Sequence, residues 1–487
     1  MKKIVLFLLV ILSACKDRKN AETIAIGGHG NSVAPIEHIE KNLVPVHYLT
    51  GSTYKKSIQQ IMKADRIAGV SIAFVDNGKI AWQGTYGYSQ LEDSTAVTPH
   101  TVFNGASLSK PVTAMAALRL VELGTLNLNE NVNNYLEGWK VPENEFTAQE
   151  KVTLKRLMGH TAGFDRYVQS SFYPDEALPT ITQMLTGAYP SVDPAVSLIY
   201  VPGEKQLYSN PGYSVMEKLI EDVTDKQFNT VLTELIFEPC GMTESSFEQP
   251  VPDRLTQQMA TGYSNDLQPY PYKLFPYRAA GGIWTTPTDL AKFLATVLKD
   301  HQLGSNTILS QQMTDSIFAK SPTRLGFAKI YHDESQDVLI EHWGSNSGFT
   351  CYMVASPKHN QALVIMTNSD NGMSLMSYIT RAMAVEYDWD FFQPVAYDPI
   401  TLDASSLTRF TGTFTGGNEV LEFRVTAGEL HLIAPMGTSL KLVPVAENSF
   451  IDANDQIRYD FLDNTDGEVG FVRMTKADGY NNDYIKQ

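Results

Sequence analysis

Cysteine is scarce, with three residues in a chain of 487. Cys240 and Cys351 lie far apart in sequence and in apolar surroundings. A disulfide framework is excluded, and both read as buried free thiols. No cysteine or histidine cluster has metal-ligand spacing, so no structural metal and no cofactor are expected. Basic charge is short as well, with 38 Lys and Arg against 54 Asp and Glu, a formal net charge of −16. An acidic field of that size argues against nucleic acid and against anionic lipid surfaces as partners. No stretch is long and apolar enough to span a bilayer, which takes roughly 20 residues. Low-complexity character is missing too, because 33 Gly and 24 Pro are ordinary usage. There is no internal repeat. What is present is a 43% hydrophobic composition, enough side chain to offset the entropy of ordering. The length predicts more than one domain.

The N-terminus is distinctive. Met1-Lys2-Lys3 precedes an unbroken apolar run from Ile4 to Leu12, then Ser13-Ala14-Cys15. The run is too short to cross a membrane and fits the core of a secretory signal. Leu12-Ser13-Ala14-Cys15 resembles the bacterial lipoprotein cleavage box, which implies acylation of Cys15 after removal of residues 1–14. The loss of Lys2 and Lys3 takes the net charge to −18. The expectation is an exported, membrane-anchored lipoprotein facing the periplasm or cell surface. Lys16 after the cysteine suggests the outer membrane. Residues 15–51, polar and irregular with Gly27-Gly28-His29-Gly30, read as a tether.

A helix is expected from Thr53 to Arg66. Val70 to Val75 and Lys79 to Gln83 flank Asp76-Asn77-Gly78, a hairpin signal. The section from 100 to 330 is helix-rich. Within it, Thr286-Pro287-Thr288-Asp289 marks a helix start, with a capping threonine before proline. Strands return at Phe349 to Val354 and Ala362 to Thr367. This order predicts an α+β domain over 52–393, an antiparallel sheet built from both ends with a helical insertion. From 403 to 487 short alternating strands at close spacing predict a small β-barrel or sandwich.

Three motifs carry chemistry. Ser107 lies three residues before Lys110 at the start of an apolar helix, which puts both side chains on one face. An unprotonated lysine there can take the serine proton. Two other Ser-x-x-Lys strings, Ser13 to Lys16 and Ser52 to Lys55, lack that helix. Tyr208-Ser209-Asn210 precedes another apolar-periodic helix. A tyrosine beside a lysine favours phenolate and can relay protons, and the Asn210 amide can bond lysine and substrate. Its twin, Tyr263-Ser264-Asn265, sits among polar residues and prolines and reads as a surface turn. His342-Trp343-Gly344-Ser345 precedes a strand. Gly344 would let a substrate approach the backbone, and the Ser345 N–H could pair with that of Ser107 as an oxyanion donor. Ser345-Asn346-Ser347 is not a nucleophile elbow, because its centre is asparagine. His160 reads as a buried, hydrogen-bonded loop histidine. Trp284 could border a pocket or pack in the core.

Ser-x-x-Lys, Tyr-x-Asn and His-x-Gly, in this order, resemble the serine β-lactamase and penicillin-binding-protein superfamily. The similarity is to the branch of class C β-lactamases, D-aminopeptidases and family VIII-type esterases. Leu157 to Gly163, Ile236 to Met242 and Ala279 to Trp284 are similar to that family's landmark stretches. The resemblance implies Ser107 as nucleophile, Lys110 as its proton partner and Tyr208 as general base. Asn210, His342 and Gly344 would line the pocket. It also implies a β-lactamase/transpeptidase-like sheet flanked by helices, and a small molecule or peptide with an ester or amide bond as substrate. Two departures stand out. The family's β-lactamases and DD-peptidases usually carry lysine where this chain has His342, and a histidine is mostly neutral at pH 7. Trp343 puts a bulky ring where they have a small hydroxyl residue, which is expected to reshape the pocket. Both lean towards an esterase or peptidase. The alternatives are a DD-peptidase or β-lactamase, or a silent ligand-binding homologue.

Overall fold

The computed structural model describes residues 35–52, 54–165, 169–331, 337–417, 419–433 and 439–487. The expected signal and the lipidation site Cys15 lie outside them. The described residues form two compact units, Gln59–Met376 and a second made of 35–58 with Ser377–Gln487. No helix among them is long and apolar enough to cross a membrane.

The first unit is built on a seven-stranded antiparallel sheet. Its order is Thr95–Ala96, Lys79–Gln90, Gly69–Asp76, Gln361–Thr367, Phe349–Ser356, Leu339–Asn346, Ala328–Ile330. Early and late strands therefore meet at Gly69–Asp76 and Gln361–Thr367. Every residue of Gln361–Thr367 and Phe349–Ser356 is buried. Such strands read as unbroken apolar runs because both faces are covered. The expected hairpin is present: Asp76 pairs with Lys79, and Asn77 and Gly78 both take positive φ. That is the backbone a two-residue turn needs.

The insertion supplies the helices. Ser109–Glu122 is buried along almost its whole length, so it runs through the core rather than over it. Asn210–Thr224 starts with the Ser209 side chain accepting from the Gly212 N–H. Pro287–Leu303 starts as expected, with Thr286 Oγ1 accepting from the Asp289 N–H at 3.1 Å. Cys240 and Cys351 are free and buried. Burial pushes both thiols up, Cys240 to about 12. Trp284 is a core residue, 2% exposed.

In the second unit, eight antiparallel strands close into a barrel from Gly412–Gly416 to Asn481–Lys486, whose pairing seals it. Phe414, Phe423, Phe450 and Phe461 fill it with edge-on ring contacts. The same unit corrects one expectation. Residues 35–51 are not tether. They hold the helix Pro35–Lys41 and the strand His47–Leu49, which pairs in parallel with Val395–Tyr397. The Arg381 guanidinium fixes this segment by donating to the carbonyls of Val44, Ala477 and Asp478. This unit begins its second stretch at Ser377, and its barrel starts at Gly412. A short strand that finds its ladder partner hundreds of residues away leaves no local trace in a polar sequence.

Candidate active site

Ser107 sits on the turn between the strand Phe103–Ala106 and the helix Ser109–Glu122. The turn is strained. Ala106 has φ +46°, a region alanine rarely occupies. Three bonds hold it there. The Ala106 N–H donates to Asn104 Oδ1 at 3.0 Å, its carbonyl accepts from Ser109 Oγ at 2.6 Å, and Ser109 Oγ accepts from the Ile283 N–H at 3.0 Å. Asn346 Nδ2 also donates to Asn104 Oδ1, at 2.7 Å, and to the Gly281 carbonyl. The turn is thereby tied to the end of the strand Leu339–Asn346.

Three sequence candidates converge on one oxygen. Lys110 Nζ donates to Ser107 Oγ at 3.0 Å, and Tyr208 OH donates to it at 2.8 Å. Lys110 is fully buried and has no carboxylate partner among the described residues. Its second bond goes to the Ala280 carbonyl at 2.5 Å. Burial alone holds this amine well below the ordinary lysine range. A neutral amine beside a serine hydroxyl can take its proton, and a phenol bonded to the same oxygen can relay it.

The Ala280 carbonyl is itself held. Glu217, with a fully buried side chain, accepts from Arg278 Nε at 2.7 Å and from the Ala279 N–H at 2.8 Å. Arg278 also pairs with Glu221, and both carboxylates raise its pKa. No sequence signal linked Arg278 to Glu217, which lie 61 residues apart.

Gly344 lies against the serine backbone. A Cβ there would stand 2.7 Å from the Gly105 carbonyl and 3.2 Å from the Ser107 nitrogen. Only glycine fits that gap. Ser345 follows on the exposed strand end. His342 is 8% exposed, and its Nδ1 donates to the Trp343 carbonyl at 2.7 Å. Burial, and next the Lys110 charge, lower its pKa to about 3. His342 is therefore neutral and supplies no fixed charge. Asn210 opens its helix two residues after Tyr208, but its Oδ1 is buried without a partner. It bonds neither Lys110 nor Ser107 here.

Two expectations change. Trp343 does not shape this face. Strand alternation puts it opposite His342 and Gly344, with its ring 4.0 Å from that of Tyr352. Tyr263 is fully buried and donates to Glu92, and only Ser264 to Gln268 forms the surface turn. One neighbour carries more than its sequence suggested. His160 is buried and hydrogen-bonded as expected, its Nδ1 accepting from the Ser209 N–H at 3.1 Å. Its ring also packs on Tyr208, with centroids 4.4 Å apart, and its φ is +58°. Burial and the Lys110 charge keep it neutral.

The Beta-lactamase family model matches residues 55–387. The chain belongs to that family. It is a member of the serine hydrolase superfamily of β-lactamases and penicillin-binding proteins. Among similar proteins, Protein flp from Staphylococcus aureus is 26% identical over 325 residues, 64% of this chain and 62% of that relative. This chain thus matches less than two thirds of that protein's length. Penicillin-binding protein 4* from Bacillus subtilis is 22% identical over 433 residues, 82% of this chain and 92% of the relative. The octameric penicillin-binding protein homologue from Pyrococcus abyssi shares the fold with a TM-score of 0.59 and 22% identity, over 88% of this chain and 98% of that one.

Proposed function

We propose that this β-lactamase-family protein hydrolyses an ester or amide bond through an acyl-enzyme on Ser107. The observation that carries this reading is the placement of Ser107 Oγ 3.0 Å from Lys110 Nζ and 2.8 Å from Tyr208 OH. Ser107 Oγ attacks the carbonyl carbon, and its proton passes to Lys110 or Tyr208. The tetrahedral oxyanion takes hydrogen bonds from the N–H groups of Ser107 and Ser345. The same pair returns the proton to the leaving group as the acyl-enzyme forms. Water then attacks the acyl carbon and releases the acid.

The preferred substrates are esters or peptides rather than β-lactams. The support is His342, which is neutral where a β-lactamase presents a cation to the substrate carboxylate. The chain is exported and held at a membrane through a lipid on Cys15, a reading that rests on Leu12-Ser13-Ala14-Cys15 alone.

Hydrolysis of p-nitrophenyl esters, D-amino-acid amides and a chromogenic cephalosporin by wild type and Ser107→Ala tests the mechanism. Wild type is expected to turn over esters or amides, with a mass increment on Ser107 after fluorophosphonate labelling. A Ser107→Ala protein that kept the wild-type rate would refute it. Cephalosporin turnover exceeding ester turnover would overturn the substrate preference.

A further inference from the structure

A groove of about 860 Å³ opens in the first unit between the helix Leu154–Met158, the segment Gly203 to Gln206 and the loop Pro322 to Arg324. Its lining carries five basic and three acidic side chains, in a chain whose overall charge is −16. Two of the basic residues are accounted for. Arg156 pairs with Glu150 at 2.9 Å, and Lys151 pairs with Glu143 at 3.7 Å. Lys155, Lys205 and Arg324 have no carboxylate partner among the described residues. Lys205 lies over the Tyr200 ring at 4.7 Å. Glu130 and Glu204, on the same lining, leave the groove net positive.

The groove shares a wall with the catalytic cluster. Gly203 N–H donates to the Thr161 carbonyl at 2.7 Å, and Leu207 N–H donates to the His160 carbonyl at 2.8 Å. Those two bonds zip the groove segment to the His160 loop, and Tyr208 is the next residue. On the other side, Arg324 lies near enough for its charge to act on His160, His342 and the buried Glu341, though no carboxylate pairs with it directly among the described residues. A cationic recess therefore borders a site whose own histidine is uncharged. Cations in excess around a recess raise the local concentration of anions there.

The geometry points to a second binding site: the groove walled by Lys155, Lys205 and Arg324 takes an anionic group, a carboxylate or a phosphate, carried by the substrate away from its scissile bond. This assignment deepens the reading of Ser107 as the acyl carrier and rests on it. The groove then supplies the charge recognition that His342 does not, at a greater distance from the reacting carbonyl. Substrates with a remote negative charge are favoured through KM, since the contact is the same in the ground and transition states.

The test uses the full chain and p-nitrophenyl esters of matched length whose acyl ends are neutral, carboxylate or phosphate. At low salt, KM for the charged esters is expected to be about tenfold below that for the neutral ester, with kcat similar. The carboxylate and phosphate arms report which anion is preferred. The advantage shrinks at high salt. Replacing Lys155, Lys205 and Arg324 by Gln together brings the charged-to-neutral KM ratio to about one. Lys205→Glu, a single change on an exposed segment, inverts the ratio and covers the case in which the triple variant does not fold. Equal KM for charged and neutral esters in wild type, or an unchanged ratio in Lys205→Glu, overturns the assignment. If no ester is turned over, the acyl-enzyme reading fails separately. The groove is then judged by calorimetry of wild type with glutarate and with inorganic phosphate. Binding lost in Lys205→Glu supports it, and no binding overturns it.

Discussion

Replacing His160 tests whether the Tyr208 ring is held by its neighbour. His160 does two things at once. Its ring packs on Tyr208 at 4.4 Å, and its Nδ1 accepts from the N–H of the buried Ser209. Two substitutions separate them. His160→Asn keeps a side-chain acceptor and tolerates the left-handed backbone of φ +58°, but removes the ring. His160→Phe keeps a ring and removes the acceptor. A ring contact of this kind is worth about 0.5–1.5 kcal/mol. An orphaned buried N–H costs about 1–3 kcal/mol. His160→Phe is therefore the more destabilised protein in urea, and His160→Asn the less active one. Loosening a proton carrier by about 1 Å can cost roughly a hundredfold, so kcat for His160→Asn should fall by about ten- to a hundredfold. The assay is ester hydrolysis by wild type, His160→Asn, Tyr208→Phe and the double variant. If the ring acts through Tyr208, the His160→Asn loss disappears in the Tyr208→Phe background. A loss of the same factor in both backgrounds refutes the reasoning.

Three further outcomes follow from the same geometry. Gly344→Ala drives a methyl to 2.7 Å from the Gly105 carbonyl. Hydrolysis should drop at least about a hundredfold, as when an oxyanion donor is displaced, with circular dichroism unchanged. Burial pushes the Glu217 carboxyl up to about 7 even beside Arg278, so Arg278→Met strands a carboxylate only above that pH. It should cost about 3–5 kcal/mol in urea unfolding at pH 8.5 and less at pH 6.5, with a loss of activity as the Ala280 carbonyl shifts. Acid should destabilise the fold before most carboxylates titrate. His342 is lowered to about 3, His47 to about 4, and His160 well below 6.5. These depressed values favour folding above pH 6.5, where both states are neutral, and that contribution is lost as pH falls towards the folded values. The slope is about 1.4 kcal/mol per pH unit for each histidine. Urea midpoints at pH 7.5, 5.5 and 4.5 measure it, and a flat profile would contradict it.

What was legible in the sequence was local. Ser107 and Lys110 are one helical turn apart, so their contact follows from spacing. Tyr208 was separable from Tyr263 because an apolar-periodic helix follows only the first. The hairpin at Asp76 to Lys79 and the capped start at Thr286 are written within four residues. The contacts that hold the site are not. Glu217 meets Arg278, and Asn346 meets Asn104 across 242 residues, through packing that no short pattern encodes. Trp343 departs from expectation although the sequence carries the signal. Residues two apart on a strand share a face, so His342 and Gly344 could not both face the serine with Trp343 beside them. The segment 35–51 hid its strand because three residues are too few to show alternation.

The seam of the central sheet has a consequence for how the chain comes to be folded. Asp76 and Gln361 are bonded side chain to side chain across 285 residues, and the strands that carry them are neighbours in the middle of the sheet. Closing so large a loop comes before any of the contacts that reward it. Until Gln361–Thr367 has been synthesised, Gly69–Asp76 presents a bare row of unpaired N–H and C=O groups along one edge. A nascent or truncated chain lacking those seven residues is an open template for pairing with another copy. The unit becomes safe from aggregation only near the end of its own synthesis.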